Sequence, residues 1–469
     1  MTKPDLQYDL KSSIVVFLVA LPLCLGIALA SGAPLASGLV AGILGGVVVG
    51  LFSNSQISVS GPAAGLTVIV ANGITQLGGF EHFGIAVLLA GVFQILFGMM
   101  KGGTIGDYFP TAVIKGMLAA IGLILIIKQL PNALGLVSGS YSFRGIQKEI
   151  VLISLLSLGI MLSWDKLAAS GNKLAKLVPG PLVAVLTSIF VNSFFQLVGP
   201  EGLVQLPDQI FNKLLLHDFS SFNWNVLEIA LTIAIVASLE TLLCIDAADR
   251  IDPLKRKTNK NTELLAQGIG NTLSGVLGGL PLTAVIVRTS ANVASGAKTK
   301  YSAIFHGCWI LLCVLFIPNL LNLIPLATLA CVLLLVGYKL TKPVFYIEMW
   351  KRGWPQLLIF CVTIGAILAT DLLKGIFAGL ALAIFFELRK PAINCLEVDH
   401  EEDKVHFKFL KNVSFLHKAK IAKILNELEE GKAIYFHGMN LVRIHVDVRE
   451  LLLDYQEEAK KKNLIVVFI

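Results

Sequence analysis

Apolar runs of about 20 residues, the length that crosses a bilayer as a helix, recur from Ser13 to residue 390. No other feature constrains the fold as tightly. Only 15% of the 469 residues are charged and 55% are hydrophobic, where a soluble domain carries about 25% charged residues. A water-soluble core does not hide that many runs. The chain therefore reads as an α-helical polytopic membrane protein.

About fourteen spans are expected. They begin near Ser13, Pro34, Ile57, Phe83, Thr111, Lys148, Leu177, Val226, Thr262, Pro281, Lys300, Leu323, Pro355 and Leu372. The first run flows into the second without a small-residue cleavage site, and Asp5 and Asp9 flank Lys3 and Lys11. It reads as a membrane helix rather than a cleaved signal. With an even span count and both ends inside, inside segments hold twenty Lys and Arg against five outside. That bias predicts cytoplasmic termini in a cell inner (plasma) membrane. The net charge of +7 suits an anionic lipid surface rather than nucleic acid.

Composition shifts near Pro391, dividing residues 1–390 (membrane domain) from 391–469 (small α/β domain, compact or trimmed). Strands are predicted at 405–409, 433–436 and 464–469, and helices at 418–430 and 446–462. The seven cysteines, Cys24, Cys244, Cys308, Cys313, Cys331, Cys361 and Cys395, form no CxxC pair and nearly all lie in apolar runs. They read as small buried hydrophobes, with no disulfide framework and no metal site.

Two short spans are interrupted: residues 55–74, SQISVSGPAAGLTVIVANGI, and 278–296, GGLPLTAVIVRTSANVASG. Each starts extended, meets Gly with Pro, and continues as a short helix of small residues. Proline is expected in the first helical turn, where no N–H is needed. The two are the third and tenth spans, an offset of seven that suggests inverted halves. Paired broken helices mark transporter binding sites, and two facing helix N-termini concentrate positive partial charge suited to an anion. Packing of Gly and Ala between helices is the plainer explanation.

Arg288 lies inside the second broken segment and Glu240 inside the span starting near Val226. Ionised groups at that depth are costly and usually functional. Arg288 is expected to hold an anion, pair with a carboxylate or snorkel. Glu240 is expected to bind a coupling cation or proton, or to form a packing ion pair. Asp246 and Asp249 read as a solvated face. The Thr67 and Thr283 hydroxyls either donate to an oxyanion or bond back to the backbone.

At these residues the chain resembles the SulP (SLC26-like) inorganic anion transporter family. The stretches are VALPLCLGIALASGAPLASGLVAGILGG, SVSGPAAGLTVIVA, ASLETLL, QGIGNTLSGVLGGLP and VRTSAN, with a tail similar to a STAS domain. The resemblance implies fourteen segments in two inverted seven-segment repeats, forming core and gate domains. It implies elevator-like alternating access, and a homodimer among membrane lipids. It places substrate at Ser60, Gly61, Ala63, Ala64 and Thr67 of the third segment and at Leu282, Thr283, Ala284, Val285 and Ile286 of the tenth. Glu240 of the eighth lies nearby. Sodium-coupled bicarbonate members have an Asp there with a hydroxyl one turn later. Glu240 and Cys244 stand in those positions here, which favours H+ over Na+ as coupling ion, or none.

LPLCLGIALASGAP is similar to members found beside carbonic anhydrase-like domains, which implies bicarbonate and such a functional partner; others carry sulfate or dicarboxylates. The tail stretch GMNLVRIHVDVRELL lacks the Ser or Thr of phosphoryl-switched STAS domains. The competing readings are a nucleobase carrier of the same fold and an anion channel. No catalytic constellation or cofactor loop appears, so an enzyme is a poor fit.

Overall fold

The computed structural model describes residues 3–104, 109–136, 146–172, 175, 178–207, 223–393, 396–400, 404–409, 413, 421, 424–425, 433–437, 444, 446–461 and 465–468. The chain divides into two compact units, Met1–Arg352 with Phe360–Ile376, and Gly353–Ile359 with Phe377–Ile469.

The first unit is helical. In chain order it contains α1 (Lys3–Ala30), α2 (Leu35–Phe52), strand β1 (Ser60–Pro62), α3 (Thr67–Gln76), α4 (Phe80–Met99), α5 (Thr111–Leu134), α6 (Lys148–Ala169), α7 (Gly180–Phe195), α8 (Trp224–Ile251), α9 (Lys260–Val276), strand β2 (Leu282–Ala284), α10 (Ile286–Ala294), α11 (Tyr301–Phe316), α12 (Leu326–Leu340) and α13 (Pro343–Lys351). Helices α14 (Trp354–Ala369) and α15 (Leu372–Ile393) each contribute to both units. Among the described residues, seven helical stretches are long and apolar enough to cross a membrane, and four apolar helices are shorter.

Local sequence sets several ends. Asn223 caps α8 by accepting from the Val226 N–H, and Asn259 caps α9 by accepting from Asn261 and Thr262. Gly135 closes α5 in the left-handed region, at φ 66°.

The unit packs through small residues. A side chain on Gly91, Gly268 or Gly275 would run into the facing backbone of α4 or α9, so these two helices lie backbone to backbone. Within α2, a π-helical turn at Gly45–Val49 brings Gly46 against Gly307 of α11. Behind this turn, β1 and β2 pair antiparallel, Ser60 opposite Ala284, Gly61 opposite Thr283 and Pro62 opposite Leu282. All six residues are buried. Extended backbone at membrane depth is tolerated only where protein satisfies its polar groups, and each strand is the other's partner.

In the second unit, β3 (Leu396–His400), β4 (Lys404–Phe409), β5 (Ala433–His437) and β6 (Val466–Phe468) form one sheet in that order. β3 pairs antiparallel with β4, and the β4–β5 and β5–β6 pairs are parallel. Helix α16 (Val446–Lys461) makes the β5–β6 crossover, since a parallel pair needs a long connection. Alternate residues Val405, Phe407, Phe409, Ile434 and Phe436 pack with Val448 and Leu452 of α16. The sequence reading omitted β3; of the strand expected at 464–469, residues 466–468 form β6, 465 precedes it, and 464 and 469 lie outside the described residues. Of the helix expected at 418–430, residues 421, 424 and 425 are described and helical; the rest of it, most of GMNLVRIHVDVRELL before Val446, and Cys395 lie outside the described residues.

Candidate functional site

The interrupted segments become strand–helix units that cross each other. The expected position of the prolines is corrected: Pro62 ends β1 and Pro281 precedes β2, so neither opens a helix. The helices follow later, at Thr67 after a 3-10 turn over Ala64–Leu66, and at Ile286. Strand pairing takes the proline-bearing stretches because the crossing point must satisfy its backbone without water.

The 3-10 turn before α3 and the first turn of α10 open on one cavity of about 570 Å3. Ala64 and Gly65 line one side, Val285, Ile286 and Arg288 the other, and Glu240 and Cys244 of α8 lie on the wall. First-turn N–H groups have no intrahelical acceptor, so the start of α10 offers donors here.

Arg288 is completely buried, which excludes snorkelling. Its Nη2 contacts Cys24 Sγ of α1 at 3.3 Å and the Pro62 carbonyl at 3.5 Å. Nε and Nη1 have no hydrogen-bond partner, and no carboxylate pairs with the guanidinium, among the described residues. A Cβ at residue 61 would overlap Nη1, so glycine is what lets the guanidinium lie against β1. A buried guanidinium with two unmet donor nitrogens is the arrangement that an anion completes.

Glu240 faces the same cavity, with Oε2 buried and without a partner. Cys244 stands four residues on and also lines it. No ion pair among the described residues fixes Glu240 in place.

The other expected residues hold the crossing together. Thr67 donates back to the Ala64 carbonyl at 2.8 Å and Thr283 to the Ala284 carbonyl at 3.2 Å. Ser60 Oγ accepts from Gln267 Nε2 at 2.6 Å. Ala63, Leu282 and Ala284 are buried, and the Ala284 and Val285 N–H groups are taken by Thr241 Oγ1 and the Val59 carbonyl. Ser60, Gly61, Ala63, Thr67, Leu282, Thr283 and Ala284 are not on the cavity wall.

Sequence reasoning missed the brace behind the strands. Along one face of α9, Gln267 holds Ser60 of β1, and Asn271 takes both backbone groups of Leu282, accepting from its N–H at 2.7 Å and donating to its carbonyl at 2.9 Å. Ser274 donates to the Leu280 carbonyl at 2.7 Å. The stretch QGIGN carries this spacing of four, the helical repeat that aligns side chains. Lys115 and Arg250 also line the cavity, and in sequence they served only the loop-charge count. Lys115 pairs with Glu348, and Asp246, on the wall too, pairs with Lys260 at 2.8 Å. The solvated reading of Asp249 is corrected: it is buried and accepts from the Thr258 N–H at 2.9 Å and hydroxyl at 2.7 Å, because the loop after α8 folds back over it. Cys361 is exposed, unlike the cysteines of the other apolar runs.

A family model described as "Sulfate permease family" matches residues 6–363. The chain is 32% identical over 405 residues to "Putative sulfate transporter YvdB" of Bacillus subtilis (strain 168), covering 82% of this chain and 74% of that protein. It is 28% identical over 401 residues to "Bicarbonate transporter BicA" of Picosynechococcus sp. (strain ATCC 27264 / PCC 7002 / PR-6), covering 81% and 69%. Among solved structures, the transmembrane domain of a cyanobacterium bicarbonate transporter BicA matches with TM-score 0.65 and 25% identity, covering 81% of this chain and 98% of that one. The murine Solute Carrier 26 family member A9 anion transporter, in the inward-facing state, matches in fold with TM-score 0.81 at 15% identity, covering 100% and 86%.

Proposed function

This chain belongs to the sulfate permease family, whose members are transporters and not enzymes, and we propose that it moves a small inorganic anion, sulfate or bicarbonate, by elevator-like alternating access. The observation that carries this reading is Arg288: fully buried, facing the cavity, with two guanidinium nitrogens unmet. Burying an uncompensated ion costs several kcal/mol, and a bound anion offsets that cost. The small residues Ala64 and Gly65 leave room for a compact ligand, and the start of α10 supplies neutral donors.

Fourteen segments in two inverted halves are part of the reading. The antiparallel crossing of β1 and β2, each leading into a short helix, is what such symmetry produces. So are a homodimer, an inner-membrane location with cytoplasmic termini, and a STAS-like role for the sheet of β3 to β6. Glu240 takes the coupling-ion position, with a proton favoured over sodium because Cys244 offers a soft thiol where a hydroxyl oxygen would suit a hard cation. If bicarbonate is the cargo, hydration of carbon dioxide supplies it, which keeps a carbonic anhydrase-like partner in the proposal.

The test is uptake into proteoliposomes of labelled sulfate, bicarbonate, fumarate and uracil under imposed proton or sodium gradients, with planar-bilayer recording beside it. Saturable sulfate or bicarbonate flux without single-channel current supports the reading. Fumarate-only uptake makes the protein a dicarboxylate carrier, uptake of uracil alone a nucleobase carrier, and unitary currents a channel.

A further inference from the structure

Away from the Arg288 cavity, another carboxylate is deeply buried in the same unit. Glu263, in the first turn of α9, is completely buried. Ser53 Oγ donates to its Oε2 at 2.5 Å and Gln267 Nε2 to its Oε1 at 3.0 Å. Both donors are neutral, and no cation is in salt-bridge contact with it among the described residues.

The charged neighbours are few. Asp249 of α8 and Lys300, just before α11, act on Glu263 through space. Lys300 Nζ is bonded to the Leu51 and Ser53 carbonyls, and Lys260 is paired with Asp246. Helix α4 has its titratable residues, Glu81 and His82, at its far end, and α2 and β2 have no ionisable side chain.

The amide that holds Glu263 also reaches the crossing strands. Gln267 Nε2 donates to Ser60 Oγ at 2.6 Å as well. Gln267 is fully buried, yet its Oε1 meets no donor. With Glu263 ionised, the amide spends its N–H groups on Glu263 and Ser60 and its carbonyl is unmet. One added proton supplies the missing donor. If the amide then turns over, Oε1 accepts from both the Glu263 O–H and the Ser60 O–H. The same three side chains thus have two hydrogen-bonded arrangements, differing by one proton and by the direction of the bond on β1.

We propose that Glu263 is a proton-binding site and that Gln267 relays its charge state to Ser60 of β1. The proton comes from bulk water and returns to it; only the carboxyl O–H bond forms and breaks. Ionised Glu263 leaves the Ser60 hydroxyl hydrogen free to donate elsewhere on β1, and protonated Glu263 draws that hydrogen to Gln267. The site stands whatever the cargo, whereas its effect on flux rests on the anion-transport reading.

The test is infrared difference spectroscopy of the full-length protein in lipid, titrated with pH. The expected result is a carboxylic-acid C=O band that persists in Glu240→Gln and disappears in Glu263→Gln. Gln267→Leu, which leaves Glu263 in place, should move the midpoint of that band by about one pH unit or more, and Ser60→Ala should shift its frequency. Spectra that titrate alike in wild type and Glu263→Gln overturn the site, and an unmoved midpoint in Gln267→Leu overturns the relay. Uptake measured on the same preparations should show a displaced pH profile in Glu263→Gln. Absence of any wild-type uptake refutes the transport reading while the spectra still decide the proton site.

Discussion

Gly65 and Glu240 touch so closely that no side chain fits between them: a Cβ on residue 65 would lie 2.5 Å from Glu240 Oε2. The start of the first broken helix and the intramembrane carboxylate are therefore one site rather than two neighbouring features. In Gly65→Ala, the carboxyl end of Glu240 should yield rather than the backbone. Uptake should fall about tenfold, the effect of roughly 1.4 kcal/mol, in protein of normal yield and monodispersity. Wild-type rates in Gly65→Ala would show that the carboxylate position is immaterial.

Glu240→Gln keeps the shape and removes the charge. Accumulation driven by a proton or sodium gradient should be lost while anion counterflow persists, since exchange needs no net cation movement. Parallel uptake and counterflow assays separate the two. Unchanged pH and sodium dependence removes Glu240 from coupling.

Arg288 offers two nitrogens in a fixed fork that lysine does not reproduce. A hydrogen bond to a charged group is worth about 1.5–3 kcal/mol, so Arg288→Ala should raise the half-saturation concentration by roughly 10–100-fold. Arg288→Lys should recover only part of this. Uptake titrations at constant pH read the change directly, and an intact half-saturation value takes Arg288 out of the anion site.

Asn271 carries both backbone bonds of Leu282 from α9. Asn271→Ala leaves a buried N–H and C=O unmet, a loss of about 1–3 kcal/mol. Faster hydrogen–deuterium exchange should appear over 282–286, with a lower unfolding temperature. Exchange rates equal to wild type would mean that strand pairing alone fixes β2.

How far the sequence spoke depends on the physics of each feature. The broken segments are legible because Gly and Pro interrupt apolar sequence at 61–62 and 279–281, and such breaks are rare where lipid demands satisfied backbone. The helix-start rule for proline then misplaces the helix ends, since cross-strand pairing wins locally. Partnerships across the chain carry no local signature. Cys24 meets Arg288 from 264 positions away, and a cysteine in an apolar helix looks like any small hydrophobe. β3 escapes notice because the exposed Glu397 and Asp399 flank a half-buried Val398, too little apolar alternation to mark a strand. Asp249 reads as solvated because nothing in its spacing announces that Thr258 folds back onto it.

Asp252, just past the end of α8, gives the clearest pH dependence outside the membrane spans. Burial alone would raise its carboxyl pKa. The Arg256 side chain, the Leu254 N–H and the Arg256 charge and N–H outweigh that and hold it below the usual carboxylate range. Arg256 Nε reaches Oδ2 at 2.7 Å and Nη2 reaches Oδ1 at 3.1 Å, and Arg256 Nη1 continues to the Lys298 carbonyl at 2.8 Å. The sign follows from linkage: a depressed folded pKa contributes stability that is full above the unfolded value of about 3.9 and is lost as pH falls through the folded pKa. Amide exchange over 252–258 should therefore be protected at pH 7 and stay so at pH 5. Protection should be lost only below the ordinary Asp range. In Asp252→Asn the loop should exchange faster at pH 7, by an amount matching about 1–3 kcal/mol. The difference from wild type should close at low pH, where both side chains are neutral. A difference that persists undiminished in acid would assign the loop's order to shape and amide hydrogen bonds rather than to the Asp252 charge.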